Sequence, residues 1–195
     1  MGSATEDIAQ AAARLVVDDG LEYGAAKRKA ARDLSRRQGR RTELPSNEAI
    51  EDEVREYLSL FQADTQPGEL LALRQLAQQW MQRLQPFRPH LTGAVWRGTA
   101  TRHSAVQIEL YCDDPKAAEI ALLDQRIEFD PVGQPDGADL LRLDARSPEL
   151  GEMVAIFLHV LDRDDLRGGL KPDARGRTWR GDLPALQRLL QADAP

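Results

Sequence analysis

Two polar residues on one alternating stretch are the first candidates for chemistry. Val106, Ile108, Leu110 and Cys112 share one parity, and Ala105, Gln107, Glu109 and Tyr111 the other. That two-residue period is the pattern of a strand with one buried face. Gln107 offers an amide oxygen and Glu109 a carboxylate on the polar face. Upstream, Gly93 and Gly98 allow the backbone to turn tightly and approach a ligand, with Arg97 beside them. The segment Leu91–Asp114 thus reads as a short lead-in strand, a Gly-containing loop and a strand presenting polar side chains near that loop.

The run Gly93–Ile108, GAVWRGTATRHSAVQI, resembles the G-S-x-x-R-G-x-A-x-x-x-S-D-I-D-L motif of the DNA polymerase β-like nucleotidyltransferase superfamily. In that family the Gly-Ser turn holds the nucleoside triphosphate, and two Asp one residue apart bind the metal ions. Gly93, Arg97, Gly98, Ala100 and Ser104 match the motif, whereas Ala94, Ala105 and Gln107 stand where it has Ser, Asp and Asp. The family's gap between turn and acids varies, so a second register sets Gln107-Ile108-Glu109-Leu110 against Asp-apolar-acid-apolar. The resemblance implies nucleotide-binding positions Gly93, Ala94, Arg97, Gly98, Ser104 and Gln107. It implies a Mg²⁺ site on Glu109 only if the protein is active, with a third carboxylate from a neighbouring strand, Asp144 or Asp130. Glu109 and Asp144 are then the catalytic candidates. Two-metal phosphoryl transfer wants several hard anionic oxygens, because Mg²⁺ gives up water reluctantly. One Glu beside one Gln falls short of that. The expectation is a catalytically degenerate nucleotidyltransferase fold that binds a nucleotide or RNA, or regulates a partner. The alternatives are an active enzyme with a reorganised metal site and a protein-interaction module. Under the degenerate reading, positions 94, 105 and 107 should face an open cleft.

Other candidates carry weaker signals. His90, His103 and His159 lack metal-ligand spacing, and His159 inside an apolar run reads as a hydrogen-bonded core residue. Cys112 reads as core. Trp96 could stack on a base or cover the end of the sheet. In the tail, Arg167, Lys171, Arg175, Arg177 and Arg180 interleave with Gly and Trp179, an arrangement suited to phosphate or nucleic acid. Asp173 and Asp182 dilute it.

The elements that must position these residues follow from periodicity and punctuation. Helices are expected over 5–19, 22–38, about 47–61 (capped by Ser46 or Asn47, with Ile50, Val54, Tyr57, Leu58 and Phe61 inward and Glu48, Glu51, Asp52, Glu53 and Glu56 outward), from Pro67 to Leu84, from Pro115 to Asp124 and over 183–191. Strands are expected at 127–130, 140–144 and 153–161, the last covered on both sides because it is nearly all apolar. Pro131–Gly137 and Pro172–Arg180 read as loops. The fold class is α+β: a helical N-terminal region, 1–66, followed by a small mixed-sheet nucleotidyltransferase-like domain, 67–195, with a basic tail.

Charge is uneven along the chain. Residues 1–41 carry nine Lys or Arg against six Asp or Glu, whereas the whole chain has a net charge of −6. Arg28, Arg32 and Arg36 recur every four residues with Lys29 beside them, and Arg37, Arg40 and Arg41 extend the run. Such a ridge can contact phosphates or remain a solvated face. One cysteine excludes an internal disulfide framework and points to a reducing, cytoplasmic setting. The longest apolar run, Met153–Leu158, is too short to cross a bilayer, and no signal peptide or membrane partner is expected.

Overall fold

The computed structural model describes residues 4–38, 43–133, 139–167, 171–173 and 175–192. Residues 134–137 of the expected loop, Arg40, Arg41 and the side chain of Arg37 lie outside what is described. The fold is mixed α+β, and the chain forms two compact units, 1–70 with 99–104 and 71–98 with 105–195.

The first unit is helical: α1 (Ala4–Asp19), α2 (Tyr23–Gln38) and α3 (Asn47–Phe61). Its core is Ile8, Ala12, Val16, Val17, Tyr23, Ala26, Ala30, Ile50, Val54 and Leu58. Gly20 separates α1 from α2 with φ +66, and a Cβ there would strike the His103 carbonyl. Both constraints demand glycine. Ser46 caps α3, its Oγ accepting from Ala49 N at 3.1 Å. Two expectations for α3 fail. Glu51 is fully buried and held by Arg55 one turn on at 2.8 Å, because a charge can be buried once it is paired. Phe61 is exposed, its ring tilted 46° against that of Tyr57 with the centres 4.7 Å apart.

Segment 99–104 belongs to this unit through its hydrogen bonds. The Tyr23 and Thr99 hydroxyls share one, Thr101 Oγ1 donates to the Val17 carbonyl, Gln66 Nε2 donates to the Ala100 carbonyl, and Arg102 N donates to Glu69.

α4 (Gln66–Arg83) begins in the first unit and runs into the second. The second unit continues with β1 (His90–Thr92), α5 (Gly93–Arg97), β2 (Val106–Tyr111), α6 (Pro115–Asp124), β3 (Asp130–Val132), β4 (Asp139–Ser147), β5 (Glu152–Leu161), β6 (Arg180–Asp182) and α7 (Leu183–Ala192). The strands form one sheet in the order β3-β4-β5-β2-β1-β6, with β2 and β5 parallel and the other pairs antiparallel. Leu91, Val106, Ile108, Leu110, Leu141, Leu143, Val154, Ile156, Leu158 and Val160 form its apolar face. β5 is central but alternates, and Met153 is exposed, so the expectation of cover on both faces is wrong. Ala155, Phe157 and His159 are apolar or neutral enough to look buried in sequence, yet they lie on the polar face. The 3-residue β6 starts at Arg180, the last residue of the expected loop, and was not foreseen, and 93–97 is a short helix instead of a loop.

Candidate functional site

The motif turn is built locally and then locked by distant residues. Gly93 enters α5 with φ +69, and Gly98 closes it at φ +81 with its N–H on the Ala94 carbonyl. Both conformations favour glycine. Buried Arg74 of α4 donates from Nε to the Val95 carbonyl and from the guanidinium to the Trp96 carbonyl, each at 3.2 Å. A cation on the last carbonyls of a helix suits its negative end.

Arg97 is also buried. It donates to the Thr178 carbonyl at 2.9 Å and to Asp173 at 3.0 Å, and its guanidinium lies 4.0 Å from the centre of the Trp179 ring. The side chains of Arg97 and Asp173 are each only 2% exposed. Asp173 also accepts from the N–H groups of Arg175 and Arg177 at 2.9 Å each. The Arg177 N–H holds its carboxyl below the usual value; burial opposes this and the Arg97 guanidinium reinforces it. Trp96 donates to the Thr178 carbonyl at 2.9 Å. Its ring covers Gly181, where a Cβ would lie 2.0 Å from the indole. The tail that reads as a loose basic loop is therefore a strap laid on α5. Trp96, half-buried, packs its ring on Gly181 of the edge strand β6.

On the polar face of β2, register sets Gln107 between Thr92 and Phe157, and Glu109 between His90 and His159. His159 Nε2 donates to Gln107 Oε1 at 2.7 Å. Tyr111 donates to Glu109 at 2.6 Å, and Arg180 reaches the Tyr111 oxygen at 2.8 Å and the Glu109 carboxylate at 3.1 Å. His90 meets the Tyr111 ring edge-on, and its Nδ1 donates to the Arg88 carbonyl. Burial, then the bond to Glu109, raises the Tyr111 pKa above its ordinary value. The phenol stays protonated and serves as a donor.

The predicted residues are therefore only partly assembled. Gly93, Ala94, Arg97 and Gly98 share the turn, but Ala94 and Gln107 are buried and Ala105 is half-buried, so the expectation that positions 94, 105 and 107 face an open cleft is wrong. Ser104 accepts from Thr101 N within the helical unit. Asp144 sits opposite Ala155 and Glu109 opposite His159. They are two strands apart, about 10 Å, and offset by four residues, about 13 Å. Asp144 instead pairs with Arg142 at 3.0 Å. Asp130 shares a row with Gln107 but lies three strands away. Cys112 is half-buried, and burial followed by Asp114 and Asp113 raises its thiol pKa. Arg28, Arg32 and Arg36 are exposed, and Lys29 pairs with Asp19.

A hard cation does not suit this donor set. The Gln107 oxygen already accepts from His159, and Glu109 is neutralised by Arg180 and hydrogen-bonded by Tyr111. Among the described residues no group of three His, Cys, Asp or Glu is placed to hold a metal ion. No described helix is long and apolar enough to cross a membrane. Sequence reasoning missed Arg74 and the roles of Tyr111 and Asp173. An Arg next to Leu73 and three residues before Ala77, on a helix face otherwise apolar, was the available sign.

No family model matches the chain, and no curated protein does. One solved structure with some likeness is described as the Cid1 poly(U) polymerase, MgGTP bound, in work on UTP selectivity. Identity is 10%, 47% of this chain and 32% of that chain are covered, and the TM-score is 0.37. The chain thus spans about a third of that protein's length, and a likeness of this size carries no argument.

Proposed function

We propose that this chain is a catalytically silent, nucleotidyltransferase-like protein that acts by binding, with RNA or a nucleotide as ligand, in a cytoplasmic setting. One observation carries the reading: the two side chains at the motif's acid positions are engaged internally, Gln107 by His159 and Glu109 by Arg180 and Tyr111. Neither is left to bind metal ions. The match of Gly93, Arg97, Gly98, Ala100 and Ser104 to the family motif supports the fold resemblance, and the exposed Arg28, Arg32 and Arg36 supply a cationic surface for phosphates. The positions Gly93, Ala94, Arg97, Gly98, Ser104 and Gln107 serve here as scaffold or as a nucleotide site without chemistry. The rival reading, Mg²⁺-dependent transfer using Glu109 and Asp144, requires Glu109 to leave Arg180 and the two strands to bring their carboxylates together.

The test is incorporation of labelled nucleoside triphosphates with Mg²⁺, beside thermal shifts with each triphosphate and binding of a labelled single-stranded RNA. No incorporation, with a salt-dependent RNA or nucleotide response, is expected. Incorporation that disappears in Glu109→Ala overturns the silent reading. The absence of any nucleotide or RNA response overturns the ligand class and leaves a protein-interaction module.

A further inference from the structure

A groove of about 690 Å³ runs between α4 and β4, lined by Leu76, Gln79, Trp80, Gln82, Arg83, Ala145 and Arg146. Its lining holds two guanidiniums, two amides and no carboxylate, on a chain whose net charge is −6. Arg83 lies with its guanidinium 5.2 Å from the centre of the Trp80 ring, and Trp80 itself is almost fully buried. Arg146 faces Met153 across the β4–β5 ladder instead of an acid. The nearest carboxylate on its own strand, Asp144, is held by Arg142. Two arginines therefore border one groove with no counter-charge in it.

The second observation is the edge beside the groove. β3 pairs with β4 only at Leu140, Leu141 and Arg142, whereas β5 pairs with it from Asp139 to Ser147. From Leu143 to Ser147 the outer edge of β4 therefore has no strand partner among the described residues. Ala145 and Arg146, two of the groove-lining residues, belong to that stretch. An unpaired edge is a template for an added strand, and at Ala145 and Arg146 it borders the groove. Buried Trp80 leaves little ring for a base to stack on, which disfavours a nucleic-acid strand here.

We propose that this groove binds an acidic peptide segment in extended form, added as a strand to the 143–147 edge of β4, with its carboxylates on Arg83 and Arg146. Gln79 and Gln82, each able to donate and accept, would meet the peptide's remaining polar groups. The site is independent of the nucleotide or RNA reading.

The test uses the full chain and a fluorescent peptide of about eight residues alternating Glu and Val, long enough to cover the edge. Anisotropy is read with the parent, with Arg146→Gln, and with Arg83→Gln plus Arg146→Gln, each checked for an unchanged circular dichroism spectrum. Saturable binding is expected, weakened roughly tenfold in the double variant and less in Arg146→Gln, since exposed ion pairs are individually modest. Methylating alternate peptide nitrogens in the register that pairs with the edge should abolish binding, because strand addition needs those N–H groups. Arg146→Gln leaves the Arg83 guanidinium on the Trp80 ring, so it reads the site even if Arg83→Gln perturbs packing. No saturable binding, equal binding by both arginine variants, or equal binding by the methylated peptides overturns the proposal. So does single-stranded oligouridylate competing with the peptide and losing its own affinity in Arg146→Gln, which would make the groove a nucleic-acid site.

Discussion

Two sets of arginines divide the labour in this protein. On α2, Arg28, Arg32 and Arg36 are exposed along one side of the helix. In the sheet unit, Arg74, Arg97 and Arg180 are buried or mostly so, and each bonds to carbonyls, a carboxylate or a phenol contributed from elsewhere in the chain. The first set is a surface; the second holds α5 and β6 in place. The residue type is the same, and position relative to the core decides what it does. A guanidinium in water contributes little through any one ion pair, whereas a buried one leaves a costly vacancy when removed.

Breaking the buried set should give the largest effect. Arg97→Ala leaves the Asp173 carboxylate with only the more distant Arg177 guanidinium, at 4.0 Å, and uncovers Trp179, and the melting temperature should fall on the order of 10 °C. A fall no larger than that for a surface arginine would show that the strap does not depend on this pair.

Asp173→Asn should cost less, because the amide can still accept the N–H bonds from Arg175 and Arg177. Its diagnostic signature lies in pH. The folded carboxyl sits below its ordinary 3.8, so its contribution is complete above about pH 4 and is lost as pH falls through the folded value. The parent should lose stability along that acid limb more steeply than the variant, read by urea midpoints at successive pH values. Parallel limbs would assign the acid sensitivity to other carboxylates.

Tyr111→Phe deletes the donor to Glu109 and the acceptor for Arg180 while keeping the ring against His90. A loss of about 1–2 kcal/mol in denaturant unfolding is expected. No loss would mean that Glu109 and Arg180 satisfy each other without the phenol, and would strengthen the case for a mobile Glu109.

The smallest stability effect belongs to the ridge. Replacing Arg28, Arg32 and Arg36 together with Ala should change unfolding free energy by no more than about 1 kcal/mol. If the parent binds single-stranded RNA, the slope of log affinity against log salt should flatten by roughly two to three units. A large stability loss without RNA binding would move the ridge into the structural class and erase the contrast between the two sets.

What the sequence determined by itself is what local physics controls. The helical periods of α1 and α4 and the Ser46 cap are set by neighbours within a turn or two, and they stand as read; α3 keeps Ile50, Val54 and Leu58 inward but not Phe61, and β2 is buried on both faces except at Glu109. The glycines of the motif turn were legible too, because their left-handed backbone is a property of single residues. The tertiary structure decided the rest. A 5-residue α5 and a 3-residue β6 have too few internal bonds to form alone. They exist because residues about eighty positions apart meet: Trp96 and Arg97 on Thr178, and Thr92 on the Trp179 carbonyl. The same holds at the acid positions. Gln107 and Glu109 look like candidate ligands until His159 and Arg180 arrive from distant strands. A side chain's chemistry depends on the partners that reach it, and at these two positions the deciding ones, His159 and Arg180, come from far along the chain.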